Sequence, residues 1–389
     1  MCTPAANRMP DCRGSRGIGV GEALRPADEA EVAQILAEGA APVEVVGGGS
    51  RRSVGRPVQA RPLELSGLTG ILDYQPRELV LTARAGTPLS QVNAALAAEG
   101  QRLAFEPPQA GIGGAAAQPT LGGIIASNWS GPRRLSAGAA RDHFLGFRAV
   151  NGRGERFAGG SRVVKNVTGY DVPKLLAGSW GTLAVLTEVC VRVAPAAETE
   201  CSVLIPCPSV GGAVAQCAHA LGSVHEVSAA AVLPGRALAL RLEGPAESVR
   251  TRTSGLLALL RPPGHELLEG AASGRLWQAV GEVRDLDDLP VIWRVSVAPG
   301  EAARLVETLA PERFLLDWGG GLIWLGCRTV EPARVRGALA GGHATLIRAP
   351  AQARAACPSF QPPGALAALS AAVKAAFDPR GLLNPGRMD

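Results

Sequence analysis

The stretch VEVVGGGSRRSVG, residues Val43 to Gly55, places three successive glycines directly after a short apolar run. The apolar run predicts a β-strand. The glycines predict a loop whose backbone comes close to another group, because glycine carries no side chain and accepts positive φ. Successive N–H groups in such a loop converge on an anion, most often a phosphate. An ordinary hairpin turn is the alternative, and this stretch alone leaves both interpretations open.

Two common nucleotide-binding motifs do not fit this stretch. A dinucleotide fingerprint needs G-x-G-x-x-G at the start of a helix, but position 52 is Arg and the next predicted segment is extended. A P-loop needs Gly-Lys followed by Ser or Thr, and no such triplet follows the glycines. The glycines therefore serve a different kind of site.

The composition indicates a globular chain of two or three domains. Its 389 residues exceed one ordinary core, and its formal charge of +5 is mild for that length. No basic run with interleaved aromatic residues is present, which argues against nucleic-acid binding. Residues 1–20 lack a signal-peptide core, and no apolar stretch reaches the roughly 20 residues of a membrane span. We therefore expect a disordered leader and a cytoplasmic protein without direct membrane insertion.

The eight cysteines never form a C-x-x-C pair. Zinc and iron–sulfur sites usually show such close spacings. The pattern favours reduced, mostly buried thiols, and any redox centre of this chain is not an iron–sulfur cluster of its own.

Residues 25–195 read as one α+β unit with three separated glycine clusters. A helix is predicted at Ala27–Glu38, ended by Gly39, and the strand of the opening stretch follows it. A second helix is predicted after Thr87, which we expect to be its N-cap.

From Glu198 onward the pattern of strands and helices repeats. Residues Cys201–Gly270 and Val291–Ala349 each read as β-α-β-β-α-β, the ferredoxin-like unit. Two such units side by side predict one larger antiparallel sheet with helices on one face. The remaining segment reads as a helix that stops at Pro379.

Four motifs resemble, in order and spacing, the FAD-binding domain shared by vanillyl-alcohol oxidase and p-cresol methylhydroxylase: VVGGGSRR, AGTPLSQVNAAL, PTLGGIIASNWSG and GYDVPKLLAGSWGTLAVLTEV. The resemblance implies an α+β fold, with an FAD domain of two α+β lobes and a cap of two ferredoxin-like β-α-β-β-α-β units. We accordingly predict four segments, namely the leader at 1–20, the FAD-binding domain at 21–197, the cap at 198–350 and a C-terminal segment at 351–389 that returns to the FAD domain.

A closer resemblance covers nearly the whole chain. Motifs such as VVKNVTGYDVPKLL, LLDWGGGLIWL and FDPRGLLNPGRM resemble the FAD-binding E subunits of bacterial glycolate oxidase. That resemblance implies a complex with a sister flavin subunit and an iron–sulfur subunit, which oxidises glycolate to glyoxylate and passes electrons toward quinone. Two alternatives remain open, an assembly subunit with a vestigial FAD and a self-sufficient FAD-dependent oxidase of another alcohol or hydroxy acid.

The resemblance assigns FAD contacts to residues in all three glycine clusters and in the tail: Gly47, Gly48, Gly49, Ser50, Arg51, Thr120, Gly122, Gly123, Ser127, Asn128, Gly131, Gly181, Thr182, Val185, Leu186 and Asn384. A solvated surface position is the alternative for Arg51, and a simple Asn-Pro turn is the alternative for Asn384. Relatives that attach FAD covalently use His or Cys near the flavin. No His precedes His143, so we expect non-covalent FAD.

The cap lacks the histidines that catalytic members of the hydroxy-acid dehydrogenases carry in an H-x-G-D-G-N-x-H-like run. The comparable turn reads DWGGGLIWL, from Asp317, and offers neither a metal site nor a base of matched pKa. Two substitutes are candidates. His343 is a possible base, with a structural role as the alternative. Arg294 is a possible partner of a substrate carboxylate, with a salt-bridged or exposed arginine as the alternative. No metal is expected in this chain.

Overall fold

The computed structural model describes residues 22–111, 117–161, 170–233, 235 and 237–388. The predicted leader lies outside these residues, and so do residues 112–116 of the second glycine cluster and the whole VVKNVTG part of the VVKNVTGYDVPKLL motif.

The first half of the chain forms two small α+β lobes. Its elements are α1 Glu29–Glu38, β1 Val43–Val46, β2 Arg61–Glu64, β3 Ile71–Gln75, β4 Val80–Arg84, α2 Leu89–Ala98, β5 Gln101–Arg102, α3 Leu121–Ser127, α4 Arg134–Ala137, β6 Phe144–Asn151, β7 Arg156–Gly160, α5 Val172–Leu176, β8 Ala184–Arg192 and β9 Ala194–Pro195. Strands β1 and β2 pair in parallel, and a five-stranded sheet has the order β3-β4-β8-β6-β7. The glycine loop follows β1 and connects it to a parallel neighbour, so it is not a hairpin turn.

Local signals explain the first helix but not the second. Asp28 accepts a hydrogen bond from the Glu31 amide at the start of α1, and Gly39 ends the helix with φ 54°. The expectation that Thr87 caps α2 is wrong, because Pro88 occupies the cap position. The Thr87 hydroxyl donates instead to the Arg84 carbonyl at 2.7 Å.

The second half contains one eight-stranded sheet. Its elements, with the tail, are β10 Thr199–Pro206, α6 Val210–Leu221, β11 Ala229–Leu233, β12 Ala237–Gly244, α7 Ala246–Leu260, β13 Glu266–Glu269, α8 Ala271–Glu282, β14 Val291–Ser296, α9 Ala302–Leu309, β15 Arg313–Asp317, β16 Leu322–Cys327, α10 Pro332–Gly337, β17 His343–Arg348, α11 Ala351–Ala356 and α12 Ala367–Phe377. The strand order β13-β10-β12-β11-β15-β16-β14-β17 is that of two ferredoxin-like units joined between β11 and β15. The predicted double unit is confirmed. Helix α8, which joins the units, was not predicted.

The two faces of this sheet pack against different partners. On one face, Trp293 and Val295 of β14 share a core with Val214 of α6 and Leu305 of α9. Residues on the other face, such as Trp324, belong to the same core as the five-stranded sheet of the first half. This second face therefore positions cap side chains against the glycine-rich half, since successive side chains of a strand alternate between faces.

A buried ion cluster joins the two halves. Both terminal nitrogens of Arg241, on β12, donate to the carboxylate of Glu106 at 2.7 Å, and Arg241 is only 1% exposed. Glu243, also on β12, binds Arg102 at 2.6 Å and lies 3.5 Å from Arg133. Burial alone would raise the pKa of Glu243, but the three arginines outweigh burial and hold the pKa at about 2.

The tail packs back onto the first half. Leu383 bridges to Val43 of β1 in parallel, and Lys374 of α12 donates to the carbonyls of Thr182 and Leu383 at 2.6 and 3.1 Å. Among the described helices, none has both the length and the apolar composition that crossing a membrane demands.

Candidate functional site

A cleft lies between the two lobes of the first half. Its walls come from all three glycine clusters and from the tail, and they include Val45, Gly47, Gly48, Gly49, Ser50, Arg51, Arg52, Ala85, Thr120, Gly122, Gly123, Ser127, Trp180, Gly181, Ala184, Leu186 and Arg387. The structure thus brings together residues that are far apart in the sequence.

The glycine loop presents a row of free donors to this cleft. Within the described part of the chain, the amide N–H groups of residues 47–51 have no hydrogen-bond acceptor. Gly49 adopts φ 76°, a conformation that favours glycine. Converging amides of this kind form a site for an anion such as a diphosphate.

Gly48 has a different reason for lacking a side chain. A Cβ at this position would lie 1.6 Å from the Gln118 carbonyl oxygen, and the Gly48 φ is not positive. A side chain at this position would therefore meet the protein's own backbone before any ligand. The first glycine loop approaches the backbone of the second glycine cluster, and that contact shapes the cleft.

The second cluster closes the floor of the cleft. Thr120 begins α3, and its hydroxyl accepts a hydrogen bond from the Gly123 amide at 3.2 Å. The Gly122 amide donates to the Ala85 carbonyl at 2.9 Å, and a Cβ on Gly122 would lie 2.6 Å from the Ala85 Cβ. The glycine therefore lets α3 pack directly on the end of β4.

Asn384 ties two walls of the cleft together. Its Oδ1 accepts from the Val45 amide and its Nδ2 donates to the Trp180 carbonyl, both at 2.8 Å. Trp180 and Gly181 are both left-handed, with φ 55° and 69°. Asn384 is thus a positioning residue behind the wall, and its role exceeds that of a simple Asn-Pro turn.

Arg51 is buried, so its interpretation as a solvated surface residue is wrong. It is 7% exposed, its Nη1 reaches only Ser50 Oγ at 3.1 Å, and its Nε and Nη2 have no partner among the described residues. Burial lowers the pKa of Arg51 to about 9. Buried donors without acceptors are costly. An anionic group in the cleft would satisfy them, so the residues present fit the diphosphate-containing cofactor that the sequence implies.

Some of the predicted FAD residues do not face the cleft. Gly131 accepts a hydrogen bond from Trp318 Nε1 at 3.2 Å through its carbonyl, and Thr182 donates to the Ser179 carbonyl at 2.7 Å. Val185 of β8 is fully buried in a core that it shares with β1 and β2. Asn128 faces a second cavity instead.

This second cavity, which we call the arginine cavity, has a volume of about 430 Å³ and shares Ser127 and Trp180 with the cleft. Both catalytic candidates from the sequence, Arg294 and His343, line it. Its titratable lining residues are three arginines and this histidine, Arg134, Arg141, Arg294 and His343. No aspartate or glutamate belongs to its described lining.

The cap sheet places Arg294 in a row of side chains. In the strand register, Arg294 of β14 pairs with Trp324 of β16 on one side and with Thr345 of β17 on the other. Two residues further along, Ser296 pairs with His343, so these residues share one face.

Three tryptophans surround the Arg294 guanidinium. Its central carbon lies 5.1 Å from the ring of Trp318 and 5.9 Å from the rings of Trp129 and Trp324. It has no ion pair with a described carboxylate. Burial, and then Arg134, lower the pKa of Arg294 to about 10. Neither the salt-bridged nor the exposed alternative describes this arginine.

His343 lies at the rim of the arginine cavity, at the exposed start of β17. Burial of the ring, Arg294 and Arg134 all lower its pKa. The imidazole is therefore neutral at neutral pH, which is the form that accepts a proton.

The turn at Asp317 differs from the expectation in one respect. Burial raises the pKa of Asp317 to about 7, so a group of matched pKa is present after all. However, Asp317 is 2% exposed, accepts from the Trp318 amide at 2.7 Å and does not line the arginine cavity. Among the residues that the structure describes, no group of three His, Cys, Asp or Glu side chains has the arrangement of a metal site.

Sequence reasoning missed the aromatic and basic residues that connect the cleft with the arginine cavity. Trp129 contacts the guanidinium of Arg51 at 5.0 Å on the cleft side and that of Arg294 at 5.9 Å on the cavity side. Arg134 lies 4.6 Å from the Trp318 ring, and Arg387 donates to the Arg51 carbonyl at 2.9 Å. Trp129 and Arg387 lie in motifs quoted above and Arg134 lies just after one of them, but only the fold shows the neighbours of all three.

The two-lobed fold, the cleft with its unpaired amides and the cap sheet define a flavoprotein oxidoreductase with an FAD domain of the p-cresol methylhydroxylase type. Residues 22–159 match the family model described as FAD binding domain. The chain is 36% identical to glycolate oxidase subunit GlcE of Escherichia coli K12, over 89% of this chain and 92% of that protein. The chain belongs to the family of GlcE, the FAD-binding glycolate oxidase subunit.

Two further comparisons agree with this assignment. D-lactate dehydrogenase of Archaeoglobus fulgidus is 34% identical over 49% of this chain and 42% of that protein. The structure of alkyldihydroxyacetonephosphate synthase superposes with a TM-score of 0.65 at 15% identity, covering 93% of this chain and 75% of that one, which shows a shared fold. The α+β fold and the FAD cofactor predicted from the sequence are confirmed.

Proposed function

We propose that this chain is the FAD-binding subunit of a complex that oxidises glycolate, or a related 2-hydroxy acid, to the 2-oxo acid. A sister flavin subunit carries most of the hydroxy-acid chemistry, and an iron–sulfur subunit passes the electrons toward quinone. The observation that supports this proposal most is the shared wall, Ser127 and Trp180, between the cleft and the arginine cavity. The cleft that would hold the flavin therefore adjoins a cavity lined by three arginines, in a chain similar to a glycolate oxidase subunit.

The residues of the cleft have distinct parts in this function. The amides of residues 47–51 and the Arg51 guanidinium would hold the diphosphate of non-covalent FAD, and Asn384 keeps the two walls at their spacing. Bound FAD supplies an acceptor for two electrons. The chain's own contribution is to bind that cofactor, exclude water from it and present a positively charged neighbour.

A self-sufficient FAD-dependent oxidase is the second candidate. It is favoured by one observation, the joint presence of Arg294 and His343 in the arginine cavity. In that case Arg294 binds the substrate carboxylate and His343 accepts the proton of the substrate hydroxyl.

Turnover by the isolated chain distinguishes these functions. The purified chain is mixed anaerobically with excess glycolate, and the flavin absorbance is followed at about 450 nm, a property of oxidised flavin itself. We expect little or no bleaching by the chain alone and full turnover after the sister flavin and iron–sulfur subunits are added. Rapid bleaching by the isolated chain would instead establish the self-sufficient oxidase.

A second measurement tests the cofactor. Acid precipitation should release all yellow colour into the supernatant, because non-covalent FAD leaves an unfolded protein. Colour that stays with the pellet would show a covalent link. A chain that contains no FAD, whether isolated or within the assembled complex, would contradict the proposed function as a whole.

The segment boundaries belong to the same proposal. The FAD-binding domain would span residues 21–197, the cap 198–350 and the returning segment 351–389, which agrees with where the five-stranded and eight-stranded sheets lie. The proposed location is the cytoplasm, with any membrane contact made through the partner subunits.

A further inference from the structure

We propose that the arginine cavity is a binding site, within this chain, for a small carboxylate anion, and that Arg294 is its anchor. The choice of 2-hydroxy and 2-oxo acids as the ligand class rests on the proposed function. The inference that the ligand is an anion rests only on the lining of the arginine cavity. The inference goes further than the proposed function because it names the class of ligand that the arginine cavity binds and the residue that anchors it.

The first argument is the charge of the lining. Arg134 and Arg294 both face the arginine cavity, and neither has an ion pair with a described carboxylate. Arg141 has only a loose, exposed contact with Asp142 at 3.7 Å. Proteins rarely desolvate like charges together without a counter-charge, because burying an unpaired ion is costly. Asp317 acts on Arg294 from behind the arginine cavity, but burial raises the pKa of Asp317 to about 7, so it offsets the charge only in part. A bound carboxylate would supply the counter-charge that the described lining lacks.

The second argument is that Arg294 is held ready for a ligand. The strand register fixes its backbone between Trp324 and Thr345, and the rings of three tryptophans surround its guanidinium. Cation–π contacts satisfy the charge without using the N–H groups as donors. The planar fork of an arginine therefore remains available for a bidentate bond to a carboxylate.

The third argument is the size and polarity of the arginine cavity. A volume of about 430 Å³ lies in the usual range for small-molecule sites. The hydroxyl-bearing residues Ser296 and Thr345 lie on the same face as Arg294 and His343, and they suit the remaining oxygens of a two- or three-carbon acid. Ser127, shared with the cleft, places this ligand beside the flavin site.

The experiment is a calorimetric titration of the FAD-loaded chain with oxalate. Oxalate is a two-carbon dianion with no C–H bond to oxidise, so binding is measured without turnover. Loading with FAD keeps the anion from the amides of residues 47–51. Glycolamide, a neutral analogue of glycolate, is titrated in parallel.

We expect saturable binding of oxalate and none of glycolamide. Arg294→Met should weaken oxalate binding at least ten-fold, and Arg294→Lys, which keeps the charge but loses the fork, should weaken it less. The control is Arg328→Met, which removes the same charge from an exposed position of the cap. It should bind oxalate like the parent chain.

Several outcomes would overturn the inference. They are the absence of oxalate binding by a fully FAD-loaded parent, equal binding by Arg294→Met, or a loss in Arg328→Met as large as in Arg294→Met. If Arg294→Met fails to fold, Arg294→Lys carries the test. The proposed function fails separately, through FAD content and turnover of the complex, so the two failures are distinguishable.

Discussion

The cleft and the arginine cavity share a wall but recognise their ligands by different means. The cleft is built from backbone: unpaired amides at residues 47–51 and glycines that let two loops touch. The arginine cavity is built from side chains, with Arg294 fixed by the cap sheet and enclosed by tryptophans. A backbone site tolerates almost no substitution at its glycines, whereas a side-chain site can change its ligand through one residue. The same molecule thus combines a fixed cofactor site with a neighbouring site whose ligand can change by substitution.

Gly48→Val should disrupt the cleft, which is the site built from backbone, and should have the largest effect. The new side chain would overlap the Gln118 carbonyl, so the two loops must separate. We expect a loss of about 3 kcal/mol in the free energy of unfolding, the upper end of the usual range for an overpacked site, and no FAD retained after purification. The measurements are urea unfolding and the flavin content of the purified chain.

The control for this prediction is Gly300→Val. Gly300 has open space around it and no positive φ. That variant should keep both stability and FAD. Stoichiometric FAD in Gly48→Val would show that the contact between the two loops does not shape the cleft.

Arg241→Met should separate the two halves that form the arginine cavity. Removing the arginine takes away the salt bridge of Glu106, while Glu243 keeps Arg102 and Arg133. We expect a loss of about 2–3 kcal/mol in the free energy of unfolding, at or below the lower end of the range for breaking a buried pair, because the Glu106 side chain is 31% exposed. Urea unfolding measures the loss, and Arg304→Met, on the cap surface, serves as the control.

A double variant tests whether Arg241 and Glu106 stabilise the protein as a pair. If Arg241 and Glu106 act as a pair, the double variant Arg241→Met/Glu106→Gln should be less destabilised than the sum of the two single variants. Strict additivity would show that the ion cluster does not couple the halves.

The variant Asp317→Asn tests the raised pKa of the carboxyl behind the arginine cavity, through the pH dependence of stability. The pKa of Asp317 is about 7 in the folded chain, against about 3.9 for an unfolded chain. Between these values the folded chain keeps a proton that the unfolded chain has released, so stability falls as the pH rises from about 4 to 7. The fall is at most about 1.4 kcal/mol per pH unit, and the asparagine variant lacks it.

The free energy of unfolding of both chains is therefore compared at several pH values. We expect Asp317→Asn to gain on the parent chain steadily between pH 4 and pH 7, and the difference to stay constant above that window. Oδ1 of the asparagine can still accept from the Trp318 amide, so the local turn is preserved. A difference between the chains that does not vary with pH would contradict the raised pKa.

Arg51→Met should have the smallest effect, and it tests whether a side chain matters in the backbone site. The methionine keeps an apolar contact with Trp129 but removes the buried charge. We expect FAD affinity to fall about 10- to 100-fold, as for the loss of one charge-assisted hydrogen bond or two. Equilibrium titration of the apoprotein with FAD measures the change, with the exposed Arg77→Met as the control. Unchanged affinity would show that the Arg51 guanidinium does not contribute to cofactor binding.

The fold and the cleft could be predicted from the sequence because their signals are local. Glycine runs after strands mark the loops, and the repeated β-α-β-β-α-β pattern marks the eight-stranded sheet. The reason for Gly48 could not be predicted in this way. It depends on the carbonyl of Gln118, 70 positions away along the chain.

The arginine cavity could not be predicted as a unit, although Arg294 and His343 were candidates. Its charge depends on Arg134 from the first half meeting two strands of the cap, and on the absence of acids from its described lining. The raised pKa of Asp317 likewise depends on burial that its neighbours in the sequence do not reveal. Such properties arise from packing between distant segments, which the order of residues along the chain does not specify locally.

The contact between Gly48 and Gln118 also has a consequence for genetics. The atom that a side chain at 48 would meet belongs to the main chain, so no replacement of residue 118 can remove it. At Gly159, by contrast, a side chain would meet the ring of Phe147 at 2.7 Å, and a smaller residue at 147 would make room for it. A selection for second-site suppressors should therefore recover changes at 147 for lesions at 159. For lesions at 48 it should return the original glycine.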